Sequence, residues 1–146
     1  MRAAPSAISQ RILLAVDQSG SSRAASDEAI RRAVREQAAL IVLTVVEPHN
    51  LHLPGGRRRR VDQERDRLTA GALAIVKRAR AAGVRATYMI WEGDPAEAIL
   101  DASRAEGVDA IVLGSRPRTN LRRLFLGSVS SEVSRRATCT VFVVPA

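Results

Sequence analysis

Five short apolar runs alternate with four segments of helical spacing, and this alternation restricts the possible folds more than any other feature of the chain. Continuous apolar runs are typical of strands with both faces buried, as in parallel sheets. We therefore predict an α/β fold, an open five-stranded parallel sheet with helices on both faces. The predicted strands are residues 12–16, 40–46, 84–91, 110–113 and 140–144.

Local signals predict where several helices begin and end. Asp94 has the position of an N-cap, with Pro95 at the first helical position and Glu97 completing a capping box. Gly83 and Gly107 are predicted to end the helices that they follow.

Size and composition indicate a single cytoplasmic domain. The 146 residues are 46% hydrophobic but only 3% aromatic, so the core must consist of Ala, Val, Leu and Ile. No apolar run approaches the roughly 18 residues of a membrane span, and residues 1–10 hold no signal-peptide core. We expect residues 1–10 to be a flexible N-terminal segment and 11–146 a single domain. The lone Cys139 is predicted to be a buried, unreactive thiol.

The formal net charge of +8 suggests a nucleic-acid partner, a hypothesis that depends on charge alone. Lys77 is the only lysine, so the charge comes from arginine and indicates compositional bias as much as function. No aromatic residues interleave with the arginines for base stacking, which argues against nucleic acid. Two interpretations of the four arginines at 57–60 are open. They contact a phosphate or an acidic partner, or they form a solvated helix end.

Catalytic and metal-binding motifs are missing. The sequence contains neither a GxxxxGK phosphate loop nor a nucleophile elbow. His49 and His52 lie three residues apart without a carboxylate and thiol cluster, so no metal site is expected. We predict no catalytic residue and a protein that is not a committed enzyme.

The segment 109–130 combines a predicted strand, Gly114, an arginine-rich loop and the pair Gly127-Ser128, which opens a helix. Unpaired N–H groups and the helix dipole make such a helix N-terminus a potential anion site. An ordinary strand-to-helix connection with two turn glycines is the alternative, and spacing alone leaves both open.

The same residues resemble the nucleotide-binding branch of the universal stress protein family. That branch carries glycine, two residues, glycine, nine residues, then glycine and Ser or Thr. Gly114 and Gly127-Ser128 match, whereas Pro117 occupies the second glycine position. The resemblance covers nearly all of residues 11–145 and implies the flavodoxin-like, adenine-nucleotide-hydrolase-like strand order 3-2-1-4-5. In that order strands 1 and 4 are neighbours, and a crevice opens at their carboxyl ends.

The resemblance also implies a site for ATP, with Mg²⁺ only as counter-ion, and a homodimer formed through the strand at 140–144. Asp17 and Val45 would face the ribose and adenine, although Asp17 could serve only as a cap for the turn after its strand. Leu113 and Gly114 would line the passage towards the phosphates. The remaining implied site residues are Ser115, Arg116, Gly127, Ser128, Val129 and Ser130.

Pro117 leaves two functional hypotheses open. It offers no N–H and fixes φ near −65°, and one donor lost to a charged phosphate costs about 1.5–3 kcal/mol. Arg116 and Arg118 beside it either replace that contact or form a solvated loop. The first hypothesis is a cytoplasmic stress-response sensor that binds ATP or a related adenine nucleotide and hydrolyses it slowly at most. The alternative is a nucleotide-independent dimeric interaction protein.

Overall fold

The computed structural model confirms the predicted α/β fold. It describes residues 10–17, 20–47, 57–115 and 127–145. Strands and helices alternate in the order β1 (Arg11–Ala15), α1 (Gly20–Glu36), β2 (Ala39–Val46), α2 (Arg57–Ala81), β3 (Ala86–Glu92), α3 (Pro95–Glu106), β4 (Ala110–Ser115), α4 (Ser128–Arg136) and β5 (Thr140–Pro145).

The five strands form one parallel sheet in the order β3-β2-β1-β4-β5, which confirms the order implied by the resemblance. Strand β1 lies at the centre, where Leu14 is level with Val42 on β2 and with Val112 on β4. Because strands flank β1 and helices cover both of its faces, the side chains of residues 12–15 are almost entirely buried, and only Arg11 at its start is exposed. A continuous apolar run is therefore the pattern that this position requires.

Helices α1 and α2 cover one face of the sheet, and α3 and α4 cover the other, so the sheet separates two hydrophobic cores. Ala25, Ala29 and Ala33 give α1 a buried face of small side chains against the first core. The second core contains, among others, Leu13, Leu43, Ile99, Leu100, Ile111, Leu113 and Val133.

The strands differ from their predicted bounds by one or two residues, and the structure gives a physical reason for the two largest differences. Gly114 does not end β4, which continues to Ser115 because Gly114 pairs with Val144 on the neighbouring β5. Strand β3 begins two residues later than predicted, since the N–H of Val84 donates to the carbonyl oxygen of Ala79 at 3.0 Å and closes the end of α2.

The predicted helix ends are confirmed. Gly83 follows α2 with φ of 89°, and Gly107 follows α3 with φ of 60°, a left-handed conformation that favours glycine. Helix α2 begins at Arg57, so the run of four arginines forms its first turn.

Cys139 is only half-buried, which corrects the prediction of a buried thiol. The residue lies in the bend before β5, an outer strand of the sheet, where neighbours cover it on fewer sides than they cover a central strand. Partial burial nevertheless raises the pKa of the Cys139 thiol. At neutral pH a smaller fraction of Cys139 is therefore in the reactive thiolate form than for an ordinary exposed cysteine.

Several predictions concern residues outside the described part of the chain. They include those on His49, His52, Arg116 and Pro117, and most of the predicted N-terminal segment. None of the helices that the structure describes combines the length and the apolar character needed to cross a membrane.

The strand order creates a switch point between β1 and β4. From β1 the chain proceeds through α1 to β2 on one side, and from β4 it proceeds through α4 to β5 on the other side. The two connections leave on opposite faces of the sheet, so a crevice opens at the carboxyl ends of these strands.

Candidate functional site

A cleft of about 280 Å³ occupies this switch point. Its walls come from the carboxyl ends of β1, β2 and β4 and from the N-terminal ends of α3 and α4. Ala15, Leu43, Ile99 and Leu113 belong both to its lining and to the core beneath α3 and α4. The floor of the cleft is therefore an apolar surface onto which a flat ring could pack.

The cleft brings together most of the residues implied as a site. Its lining includes Asp17, Val45, Leu113, Gly114, Gly127, Ser128, Val129 and Ser130. Ser115 is not part of the lining; it lies at the end of β4, level with Pro145 on β5. Arg116 falls in the portion of the chain that is not described.

Asp17, the second residue after β1, forms hydrogen bonds with a serine of α1. The hydroxyl of Ser22 donates to Oδ1 of Asp17 at 2.8 Å, and the N–H of Asp17 donates to the same hydroxyl at 2.8 Å. Ser22 is 6% exposed, and the hydroxyl of Ser26 donates to its carbonyl oxygen at 2.7 Å. The Asp17 carboxylate is thus fixed to the start of α1 while it lines the cleft.

Helix α4 presents an N-terminus without a side-chain cap. Its N-cap is Gly127, with φ of −65° and ψ of 161°, and this residue provides no side-chain cap for the first N–H groups. The first bond of the helix runs from the N–H of Ser131 to the carbonyl oxygen of Gly127 at 2.9 Å. The hydroxyl of Ser130, 2% exposed, donates to the same oxygen at 3.0 Å. The N-terminal end of this helix lines the cleft and can bind an anion.

Helix α3 also begins at the cleft, but its N-terminus is capped. Asp94 accepts a hydrogen bond from the N–H of Glu97 at 3.0 Å, and Pro95 occupies the first turn. The capping box is only half formed, because the carboxylate of Glu97 bonds to the guanidinium of Arg136 on α4 instead of returning to Asp94. Asp94 therefore places a negative charge at the N-terminus of α3, whereas the first turn of α4 contains no acidic residue.

The contact between Glu97 and Arg136 ties the two helices together. Arg136 also donates to Glu132 at 3.0 Å, and Arg135 bonds to Glu132 as well. The hydrogen bond from Arg136 lowers the pKa of both carboxyls, and both bonds raise the pKa of Arg136. These ion pairs are solvent-exposed, so each contributes little to the free energy of unfolding. Their effect is to hold α4 against α3.

Eight residues of the lining were not predicted as site residues: Ala15, Val16, Ser22, Leu43, Glu47, Asp94, Pro95 and Ile99. Two of them carried a usable signal, because Glu47 follows β2 as Asp17 follows β1, and Asp94 precedes the helix after β3. The carboxyl ends of parallel strands meet at one edge of the sheet. Among the described residues, no group of three or more His, Cys, Asp or Glu could hold a metal ion.

Comparison with known proteins assigns the chain to one family. Residues 9–145 match the model of the Universal stress protein family. Universal stress protein YxiE of Bacillus subtilis is 33% identical, in an alignment that covers 92% of this chain and 97% of that protein.

Solved structures agree with that assignment. Universal stress protein UspA from Lactobacillus plantarum superposes with a TM-score of 0.82 at 28% identity, over 92% of this chain and 97% of that one. A universal stress protein in complex with cAMP superposes with a TM-score of 0.67 at 27% identity, over 94% of this chain and 97% of that one. The sheet order, the cleft at the switch point and these similarities lead to one conclusion: the chain belongs to the universal stress protein family.

Proposed function

We propose that the cleft binds ATP or a related adenine nucleotide, and that the protein acts as a stress-response sensor through its conformation and choice of partner. The observation that carries this proposal is the uncapped N-terminus of α4, which opens on an apolar-floored cleft at the switch point. The relative solved with cAMP supports an adenine nucleotide as the class of ligand. Mg²⁺ would accompany the phosphates as a counter-ion only, and hydrolysis would be slow at most.

The charges around the cleft predict how the nucleotide is oriented. Asp17, Glu47 and Asp94 line the cleft and would repel a phosphate, but their oxygens can accept hydrogen bonds from ribose hydroxyls or an adenine amino group. The N-terminus of α4 attracts negative charge. We therefore place the phosphates at Gly127 and Ser128, with the nucleoside towards the ends of β1 and β2.

A pair of substitutions at Gly127 tests this orientation. The φ and ψ of Gly127 suit an N-cap side chain, and replacing glycine by Asp or Asn at such a position stabilises a helix by a few tenths of a kcal/mol. Gly127→Asp would also place a carboxylate where the phosphates bind. We expect it to weaken ATP binding by about ten- to a hundred-fold in calorimetry, although the urea midpoint stays equal or rises.

Gly127→Asn is the matched control, because it supplies a similar cap without charge. It should bind ATP more tightly than Gly127→Asp, and both variants should have similar stability. ATP binding to Gly127→Asp as tight as to the wild type would contradict the proposed position of the phosphates. A wild type that binds no adenine nucleotide at physiological salt would refute the proposed function itself.

Pro117 supports the alternative function, a dimeric interaction protein that does not depend on nucleotide. Calorimetry of the wild type beside Pro117→Gly separates the two functions. Binding by both proteins supports the nucleotide sensor, whereas binding by Pro117→Gly alone supports the alternative.

We also propose that the protein is a homodimer that pairs through β5. Residues 141–144 are apolar and half-buried, and β5 is an outer strand whose only partner in the described sheet is β4. The guanidinium of Arg32 on α1 lies 3.7 Å from the ring centre of Phe142, so a side chain of this strand is covered within the chain. What β5 leaves exposed is its backbone edge, which a second copy could cover. Sedimentation equilibrium should give twice 15.8 kDa, and a monomer mass would exclude the dimer.

A cytoplasmic location completes the proposal, because ATP is available there. Fractionation of cells that express the chain would test it, and recovery with the membranes or the medium would contradict it.

A further inference from the structure

The hydroxyl of Ser22 forms two hydrogen bonds with Asp17. It accepts from the N–H of Asp17 and donates to Oδ1 of Asp17, both at 2.8 Å. A serine hydroxyl has one hydrogen to donate, so Ser22 commits its only donor to this carboxylate. Both residues line the cleft, and Ser22 is buried.

This arrangement fixes the carboxylate in one orientation. Asp17 is the second residue after β1, and Ser22 lies on α1, so the two bonds join the segment after a strand to a helix across a sequence separation of five residues. A carboxylate has about four lone-pair sites, so it can accept from a ligand while it accepts from Ser22. Orientation matters to such a ligand, because hydrogen bonds weaken steeply when they are misaligned.

We propose that Ser22 is a positioning residue for ribose recognition, holding the carboxylate of Asp17 so that it accepts hydrogen bonds from the adjacent 2′- and 3′-hydroxyls. The cleft then distinguishes a ribonucleotide from a 2′-deoxyribonucleotide. The proposal depends on the function proposed above, since it requires the nucleoside to lie near the end of β1. A serine that only stabilised the local turn would leave this discrimination unchanged.

Calorimetry with ATP and 2′-deoxyATP tests the proposal on the whole chain. The wild type should prefer ATP by about ten-fold, the usual effect of one hydrogen bond to a charged group. Ser22→Ala should lose most of this preference through weaker binding of ATP, and its binding of 2′-deoxyATP should change little. Ser22→Thr retains a hydroxyl and should restore the preference.

Ser26→Ala is the matched control. Ser26 is a buried serine on the same helix, and its hydroxyl donates to a backbone carbonyl rather than to Asp17. Its loss should lower stability without changing the ratio of the two affinities. If Ser22→Ala does not fold, Ser22→Cys preserves the shape of the side chain with only a weak donor and should lose the preference in the same way.

Three results of these titrations would overturn the proposed role of Ser22. Equal loss of both affinities in Ser22→Ala, or no loss of either, would overturn the positioning role. Wild-type binding of both nucleotides with equal affinity would overturn it too, while the proposed function stands. Failure of the wild type to bind either nucleotide would overturn both proposals.

Discussion

Asp94 caps the N-terminus of α3 at the cleft, and replacing it tests how much this cap stabilises the protein. The side chain of Asp94 accepts from the N–H of Glu97 at 3.0 Å and has the extended backbone of an N-cap, with φ of −76° and ψ of 128°. Removing such a cap with alanine costs about 1 kcal/mol, within a range of roughly 0.5–2 kcal/mol. For a chain of this size we expect Asp94→Ala to lower the melting temperature by about 2–4 °C.

Asparagine at the same position separates the hydrogen bond from the charge. Asn caps helices about as well as Asp, so Asp94→Asn should lose only the interaction of the carboxylate with the helix dipole, a few tenths of a kcal/mol at an exposed site. Urea unfolding followed by circular dichroism measures all three proteins. Asp66→Ala, an exposed position within α2, is the control for loss of a surface carboxylate and should lie within about 0.5 kcal/mol of the wild type.

Two results would refute this reasoning. If Asp94→Ala unfolded at the wild-type midpoint, the hydrogen bond to Glu97 would contribute nothing to α3. If Asp94→Asn were as unstable as Asp94→Ala, the charge alone would account for the effect, and the cap geometry would be irrelevant.

Three further predictions concern the core, pH and the cysteine. Leu100→Ala should destabilise the protein by about 2–5 kcal/mol in urea unfolding because Leu100 is 1% exposed, whereas Val34→Ala on the exposed face of α1 should change stability by less than about 0.5 kcal/mol. The pKa of Glu97 lies below its ordinary value of 4.5 in the folded protein, so the ionised carboxylate stabilises the folded state above that pH, and this effect is lost as pH falls through the lowered pKa. Glu97→Gln should therefore make the free energy of unfolding depend less on pH in the acid range. An unchanged dependence on pH would contradict the ion pair with Arg136. Alkylation of Cys139 at pH 8 should be slower in the folded than in the unfolded protein, and equal rates would contradict the raised pKa.

The ends of helices could be predicted from the sequence where interactions between residues close in the chain determine them. Gly107 and Asp94 set helix ends through backbone conformation and a hydrogen bond within one turn, so neither needed knowledge of the fold. Gly114 was misjudged as the end of β4 because the strand is extended by pairing with Val144, a residue thirty positions away. Strand order came from the resemblance, since periodicity does not say which strands are adjacent.

The residues of the candidate site could be predicted mainly where they lie near the ends of strands. Asp17, Val45 and Gly127 were placed in the cleft by the resemblance, and the structure brings their segments together. Ser22 was not predicted as a site residue, because its hydrogen bonds with Asp17 form only in the folded chain and no spacing rule reports them. Glu97 was assigned to the wrong partner, since Arg136 lies 39 positions away and only the packing of α4 on α3 brings it near.

The polarity of the cleft follows from single residues at equivalent places in the fold. Helices α3 and α4 both begin at the carboxyl edge of a parallel sheet, so topology alone would give each of them an anion-attracting N-terminus. Asp94 occupies the first with its own carboxylate, whereas Gly127 has no side chain to occupy the second. With Asp17 and Glu47 on the same lining, one end of the cleft is acidic and the other offers N–H groups. A ligand that is rich in hydroxyls at one end and anionic at the other fits that arrangement, which is why a nucleotide is favoured over a simple anion.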